Sequence, residues 1–247
     1  MSIHIESDSV SQAAAPLVSV VIPTLVADLE LRRCVDSVRL VCPQAATCEV
    51  VIVAPPGQVQ AILALLPGET VIAERRPSIY GAMNDGVAAS HGEYLYFLGK
   101  DDIVLPSFAR MLQVLGTERP GAIFGDVYWG ASGIYPGRPS RWRVLVRNFC
   151  HQGIVYSRDA FRRHGPYNRK MRVQADHLLN IRLLWDRGRS GRILYFPQPL
   201  AWYSGAGFSI HQARDPVFWK LYPTIMKRFV GGWARLLLVS TRKLRGR

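Results

Sequence analysis

No stretch of this 247-residue chain approaches the roughly 20 consecutive apolar residues that a membrane-spanning helix needs, although 49% of its residues are hydrophobic. A globular protein with a sizeable core is expected instead. Cysteine is scarce. The four present, Cys34, Cys42, Cys48 and Cys150, make no CxxC pair, which argues against a zinc set or a disulfide framework and for reduced thiols in a cytoplasmic protein. The N-terminal MSIHIESDSVSQAAAP has neither a basic n-region nor an apolar h-region. It reads as a flexible tail over residues 1–16 rather than a signal peptide. Acidic residues are few, 18 Asp and Glu against 31 Lys and Arg. The net charge of +13 implies an anionic partner: nucleotide phosphates, an anionic membrane surface or nucleic acid. Internal repeats and low-complexity tracts are missing as well.

What is present is a regular alternation. Leu17 to Ile22 reads as a buried strand ended by Pro23-Thr24, Glu49 to Ala54 as a second ended by Pro55-Pro56-Gly57, and Glu69 to Ala73 as a third, short one. Between them, helical spacing predicts a helix opened by Asp28-Leu29-Glu30 and closed before Pro43, and a short one over Val59 to Leu66. A third helix over Ile79 to Ser90 delivers the chain to a strand at Tyr94 to Leu98. Such alternation is the signature of an α/β, Rossmann-like, mostly parallel central sheet with helices on both faces. Further on, a helix is expected from Pro106, strands at Gly121 to Trp129 and Gln152 to Tyr156, and helices over Arg158 to His164 and Gln174 to Arg187. Two late strands follow, at Ile193 to Phe196 and Leu200 to Tyr203. Gly130 to Arg147, rich in Gly, Pro and Arg, reads as a loop over a cleft.

The strand at 94–98 runs through Gly99-Lys100 into Asp101-Asp102, at the end of a parallel strand, where open sheets hold ligands. On an extended strand neighbouring side chains diverge, so the two carboxylates would divide the work. One would hold a hard cation such as Mg2+ or Mn2+ and the other a ligand hydroxyl. The same pair also reads as a turn or cap opening the next segment.

Five motifs together resemble glycosyltransferase family 2: SVVIPT at 19–24, SIYGAMNDG at 78–86, GEYLYFLGKDD at 92–102, CHQGIVYSRDAF at 150–161, and Ala175-Asp176 before a helix. The resemblance implies the GT-A fold over residues 17–213. It also implies inverting transfer of a sugar from a nucleotide-diphosphate donor to a lipid-linked or glycan acceptor in cell-surface polysaccharide or glycolipid synthesis. Carried over position by position, Asp176 would be the catalytic base, Asp101 would contact the donor ribose, and Asp102, with His211, would bind Mn2+ or Mg2+. Pro23, Thr24, Arg76, Tyr80, Asn84, His151 and Gln152 would line the donor site. Three departures leave the donor base open. Ala54-Pro55-Pro56-Gly57 follows the second strand where relatives carry an Asp, Arg76-Pro77-Ser78 stands where Asp-x-Gly is common, and Gly81 and Lys100 replace a frequent Asp and a small residue. These departures keep a second reading open, an inactive nucleotide-sugar-binding or scaffold relative.

Two basic stretches remain. Arg138 to Arg172 and Arg214 to Arg247 each hold a single acid, Asp159 and Asp215, among many Lys and Arg. A nucleic-acid-binding protein is the third reading, but no nucleic-acid motif accompanies the charge, so no nucleic-acid partner is expected. The first stretch is assigned to the acceptor's phosphate. The second, 214–247, is assigned to a C-terminal extension of short helical pieces broken at Pro223 and Gly231-Gly232, which holds the enzyme peripherally on the inner face of the cell membrane. The same stretch also reads as a helix packed on the domain with a solvated basic tail.

Overall fold

A computed structural model describes residues 15–44, 47–186, 188–205 and 215–231. The N-terminal tail up to residue 14, His211 and residues 232–247 lie outside the described residues.

The chain begins as the sequence predicts. β1 (Val18–Pro23), β2 (Cys48–Ala54), β3 (Thr70–Ala73) and β4 (Tyr94–Phe97) alternate with α1 (Leu29–Val41), α2 (Val59–Leu65) and α3 (Ile79–Ala89). Asp28 caps α1 by accepting from the Leu31 amide, and Ser78 caps α3 by accepting from the Gly81 amide. β1 pairs parallel with β2 and β4, and β2 with β3, so the ends of β1 and β4 open on the same edge.

Beyond Asp102 the chain forms β5 (Ile103–Val104), α4 (Ser107–Glu118), β6 (Ala122–Trp129), β7 (Ile134–Tyr135), α5 (Arg141–Val146), β8 (Ile154–Ser157), α6 (Arg158–His164), α7 (Ala175–Leu184), β9 (Ile193–Tyr203) and α8 (Pro216–Val230). The nine-stranded sheet runs β3-β2-β1-β4-β8-β6-β9-β5, with β7 on β6. β1 to β4, β6 and β9 point one way. β8 sits antiparallel between β4 and β6, and β5 and β7 also run against the majority.

Strand side chains alternate between two cores. Val20, Ile22, Ile52 and Tyr96 join the core under α1, α2 and α4, whereas Val21, Val53, Leu95 and Phe97 join the one under α3 and α5 to α8.

Three expectations change. Residues 130–147 are not a loop: β7 pairs with β6, and α5 buries Val144 and Leu145. The two late strands are one, because register shifts against β6 between Gly125 and Val127 absorb Pro197-Gln198 and Leu200. The break at Pro223 does not occur either. α8 runs continuously to Val230, held by buried Phe218, Tyr222, Ile225 and Met226 in the same core as α7. The described part of the extension therefore packs on the α/β body. No helix among the described residues is long and apolar enough to cross a membrane.

Candidate active site

Leaving β4 through Leu98, the chain turns at 99–102, and the Asp102 amide donates to the Gly99 carbonyl at 3.1 Å. Asp101 and Asp102 thus sit on a turn rather than on the strand. A Cβ on residue 99 would lie 2.8 Å from Asp101 Oδ1 and 3.0 Å from Asp102 Oδ2, so glycine there gives both carboxylates room. Lys100 faces away and bonds Asp28 and Glu30 at 2.5 Å each, pinning the turn to the start of α1.

Asp102 is 1% exposed. Its Oδ2 accepts from the Gly99 amide at 2.6 Å and from Gln152 Nε2 at 2.9 Å, while Oδ1 is buried without a donor. Burial pushes this carboxyl up to about 7, the charge of Asp101 adds to the rise, and the bonds from Gln152 and Gly99 oppose it. A carboxylate with one unsatisfied buried oxygen suits a hard cation, which would supply the missing partner. Among the described residues no group of three His, Cys, Asp or Glu stands ready for a metal. Asp101 accepts from the Ser204 hydroxyl.

The proposed base lies in the first turn of α7. Asp176 Oδ1 accepts from the Tyr80 hydroxyl at 2.7 Å and Oδ2 from Asn148 Nδ2 at 2.6 Å. Behind Asn148 the bonds continue, from Asn180 Nδ2 to Asn148 Oδ1 at 3.0 Å and from the Tyr156 hydroxyl to Asn180 Oδ1 at 2.8 Å. Burial raises the Tyr80 phenol well above its ordinary value, and the neighbouring Asp176 charge adds to this. Tyr80 is therefore a fixed donor.

One short segment joins the two carboxylates. Asn148 holds Asp176, and Gln152, four residues on, holds Asp102. Gln152 is itself fixed, since its carbonyl accepts from the Tyr96 hydroxyl at 2.7 Å and its Oε1 from the Cys150 thiol at 2.9 Å. Between them, His151 is held below its usual value by burial, against the pull of Asp176 and Asp101. The tight turn at 151–153 needs Gly153, where a Cβ would approach the Gly125 carbonyl oxygen to 2.5 Å.

The other predicted residues divide. Pro23 and Thr24 lie at the end of β1, where the Thr24 hydroxyl donates to the Val26 carbonyl at 2.9 Å. Tyr80 and Gln152 are brought to the site, but as supports of the two carboxylates. Asn84 uses both ends of its amide on the Tyr167 backbone, at 2.8 and 2.9 Å, so it clamps a loop. Arg76 is exposed on the β3–α3 loop, and neighbouring Arg75 and Arg169 converge on buried Asp85. The sequence reading missed Asn148, Ser204 and Asp215. Asn148 carried the weak signal of a lone amide beside an arginine-rich run.

A model of the family described as Glycosyl transferase family 2 matches residues 19–181. The chain belongs to that family. It is 32% identical over 245 residues to the PGL/p-HBAD biosynthesis glycosyltransferases of Mycobacterium bovis and Mycobacterium tuberculosis, covering 93% of this chain and 91% of theirs. Among solved structures, S. aureus TarS 1-349 in complex with UDP-GlcNAc matches with a TM-score of 0.66 at 11% identity, over 85% of this chain and 66% of that one. A mannosyltransferase from Pyrobaculum calidifontis in complex with GDP-Man and Mn2+ matches with a TM-score of 0.58 at 17% identity, over 85% of this chain and 61% of that one. The glycosyltransferase thus spans less than two thirds of these solved chains. At such identities the likeness establishes the GT-A fold and nothing finer.

Proposed function

We propose that this family 2 member is a metal-dependent, inverting glycosyltransferase. It would move a sugar from a nucleoside-diphosphate donor to a hydroxyl of a lipid-linked or glycan acceptor at the inner face of the cell membrane. The observation that carries the reading is the 148–152 segment, which fixes Asp176 and Asp102 through Asn148 and Gln152.

Asp176 takes the acceptor's hydroxyl proton as that oxygen attacks the sugar's C1. The new C1–O bond forms on the face of the sugar opposite the leaving diphosphate. The C1–O bond to the diphosphate breaks, and its electron pair leaves with the nucleoside diphosphate. Tyr80 and Asn148 donate to separate oxygens of Asp176 and keep the carboxylate in one orientation, which is worth more in rate than its presence alone. Asp102, with His211, would hold Mn2+ or Mg2+, whose charge would stabilise the departing diphosphate. Asp101 would accept from a donor hydroxyl.

The relatives' ligands support the donor class: UDP-GlcNAc accompanies one neighbour, GDP-Man with Mn2+ another. The exposed stripe Lys220, Leu221, Thr224, Lys227 and Arg228 on α8 supports contact with an anionic membrane. The decisive test is thermal stabilisation by UDP, GDP, CDP and dTDP with and without Mn2+, followed by transfer from the matching nucleotide sugar to a membrane glycolipid extract. Metal-dependent stabilisation by one nucleotide is expected. Its absence with every nucleotide tested would refute the reading.

A further inference from the structure

Asp215 is the lone acid of the basic C-terminal stretch, and it is buried to 1% exposure. Its Oδ1 accepts from the Val217 and Phe218 amides at 2.8 and 3.1 Å, which caps α8. Its Oδ2 reaches back to the chain entering α7 and accepts from the Arg172 and Val173 amides at 2.6 and 3.2 Å. The Asp215 amide donates to Gln174 Oε1 at 3.0 Å. Gln174 is the residue before α7 and sits at φ 70, in the left-handed region that side chains other than glycine adopt only when held. Two residues later comes Asp176.

A simple helix cap needs only the first pair of bonds. The second pair and the Gln174 contact tie α8 to the backbone that launches α7, and further contacts repeat the tie. Phe218 stacks on His177 at 4.9 Å between ring centroids, and the Tyr222 hydroxyl bonds the Leu145 carbonyl on α5, three residues before Asn148. From this arrangement we infer that Asp215 and Gln174 are positioning residues for the catalytic base: α8 belongs to the catalytic apparatus, and this latch sets the start of α7 so that Asp176 meets Tyr80 and Asn148. The inference rests on Asp176 being the base.

Gln174→Gly separates positioning from mere folding. Glycine adopts the left-handed conformation without a Cβ penalty, which offsets the loss of the acceptor for the Asp215 amide, so stability should change little. Asp215→Asn is the second variant, since it keeps shape and the α8 cap while one arm changes from acceptor to donor.

The assay uses the full chain with Mn2+ and the UDP- or GDP-sugar that most raises its Tm. Nucleoside-diphosphate release is followed with water as acceptor, beside donor affinity and Tm, and Asp176→Asn serves as the reference. Wild-type release should exceed that of Asp176→Asn by at least tenfold. Gln174→Gly should lose about tenfold in kcat with donor Kd unchanged and Tm close to wild type, and Asp215→Asn should lose at least as much. Wild-type kcat in a folded Gln174→Gly and a folded Asp215→Asn would overturn the latch while leaving Asp176 as base. Equal release by wild type and Asp176→Asn would overturn the base assignment, and the latch with it.

Discussion

In metal-free buffer, replacing Asp102 by Asn should stabilise the protein at pH 8 and leave it no more stable than wild type near pH 4.5. The fold holds the Asp102 carboxyl at about 7 against an ordinary value of 3.8, chiefly through burial. Below about pH 4 both folded and unfolded chains carry the proton, and the group contributes no difference. Between about 4 and 7 the unfolded chain releases its proton first, so stability falls as pH rises. Above 7 the whole penalty applies. A gap of about three pH units at about 1.36 kcal/mol each gives roughly 4 kcal/mol against the native state. The Asn oxygen can still accept from Gly99 and Gln152, but its NH2 replaces Oδ1, which is buried without a partner. That unsatisfied donor costs roughly 1–3 kcal/mol. The net gain at pH 8 is therefore about 1–3 kcal/mol, a rise in Tm of roughly 2–10 °C for a chain of this size. Thermal and urea unfolding of both proteins in EDTA at pH 4.5 and 8 measures it. Mn2+ with the preferred nucleotide should raise the wild-type Tm and not that of Asp102→Asn. Parallel stability-versus-pH curves for the two proteins, or a less stable variant at pH 8, would refute the reasoning.

Other outcomes follow from the same contacts. Asp176→Asn should lower kcat by at least about 100-fold with donor affinity unchanged, because an amide cannot take the proton; near-wild-type turnover would place the base elsewhere. Tyr80→Phe and Asn148→Ala each remove one donor to Asp176, and each should reduce kcat by about tenfold with donor affinity unchanged. Wild-type kcat in both would show that these donors do not orient the base. Phe218→Ala should cost roughly 3–5 kcal/mol in urea unfolding, since the ring is fully buried against His177; a cost below about 1 kcal/mol would mean that α8 is not part of the core. A chain ending at Gly231 should keep its fold and lose part of its sedimentation with anionic liposomes at low salt, whereas unchanged sedimentation would confine membrane contact to the α8 stripe or exclude it.

The first half of the fold was legible because each of its strands is a contiguous apolar run ended by Pro, Gly or an acidic turn, and because Asp28 and Ser78 announce their helices through their own side chains. Asp101 and Asp102 stood out as carboxylates at the end of an apolar run, whereas the role proposed for Asp176 came from its match to a family motif and not from local patterning. Residues 130–147 were not. A two-residue strand and a six-residue helix are too short to show a period. They are held instead by tertiary contacts such as Arg147 stacked 4.7 Å from the Tyr135 ring and Trp142 against Trp185.

What the sequence hid most completely is orientation. Asn148 is 28 residues from Asp176, Gln152 is 50 from Asp102, and Asp215 is 43 from the Arg172 amide that it holds. Each of these residues looks ordinary where it stands, an amide in a basic run or a stray acid in a basic tail, because its partner is a distant backbone or carboxylate. Local patterning names the groups that can carry out the chemistry, and long-range hydrogen bonds decide where those groups point. Substitutions at Asn148, Gln152, Gln174 and Asp215 should therefore separate rate from stability more cleanly than substitutions in the apolar strands, whose loss removes both together.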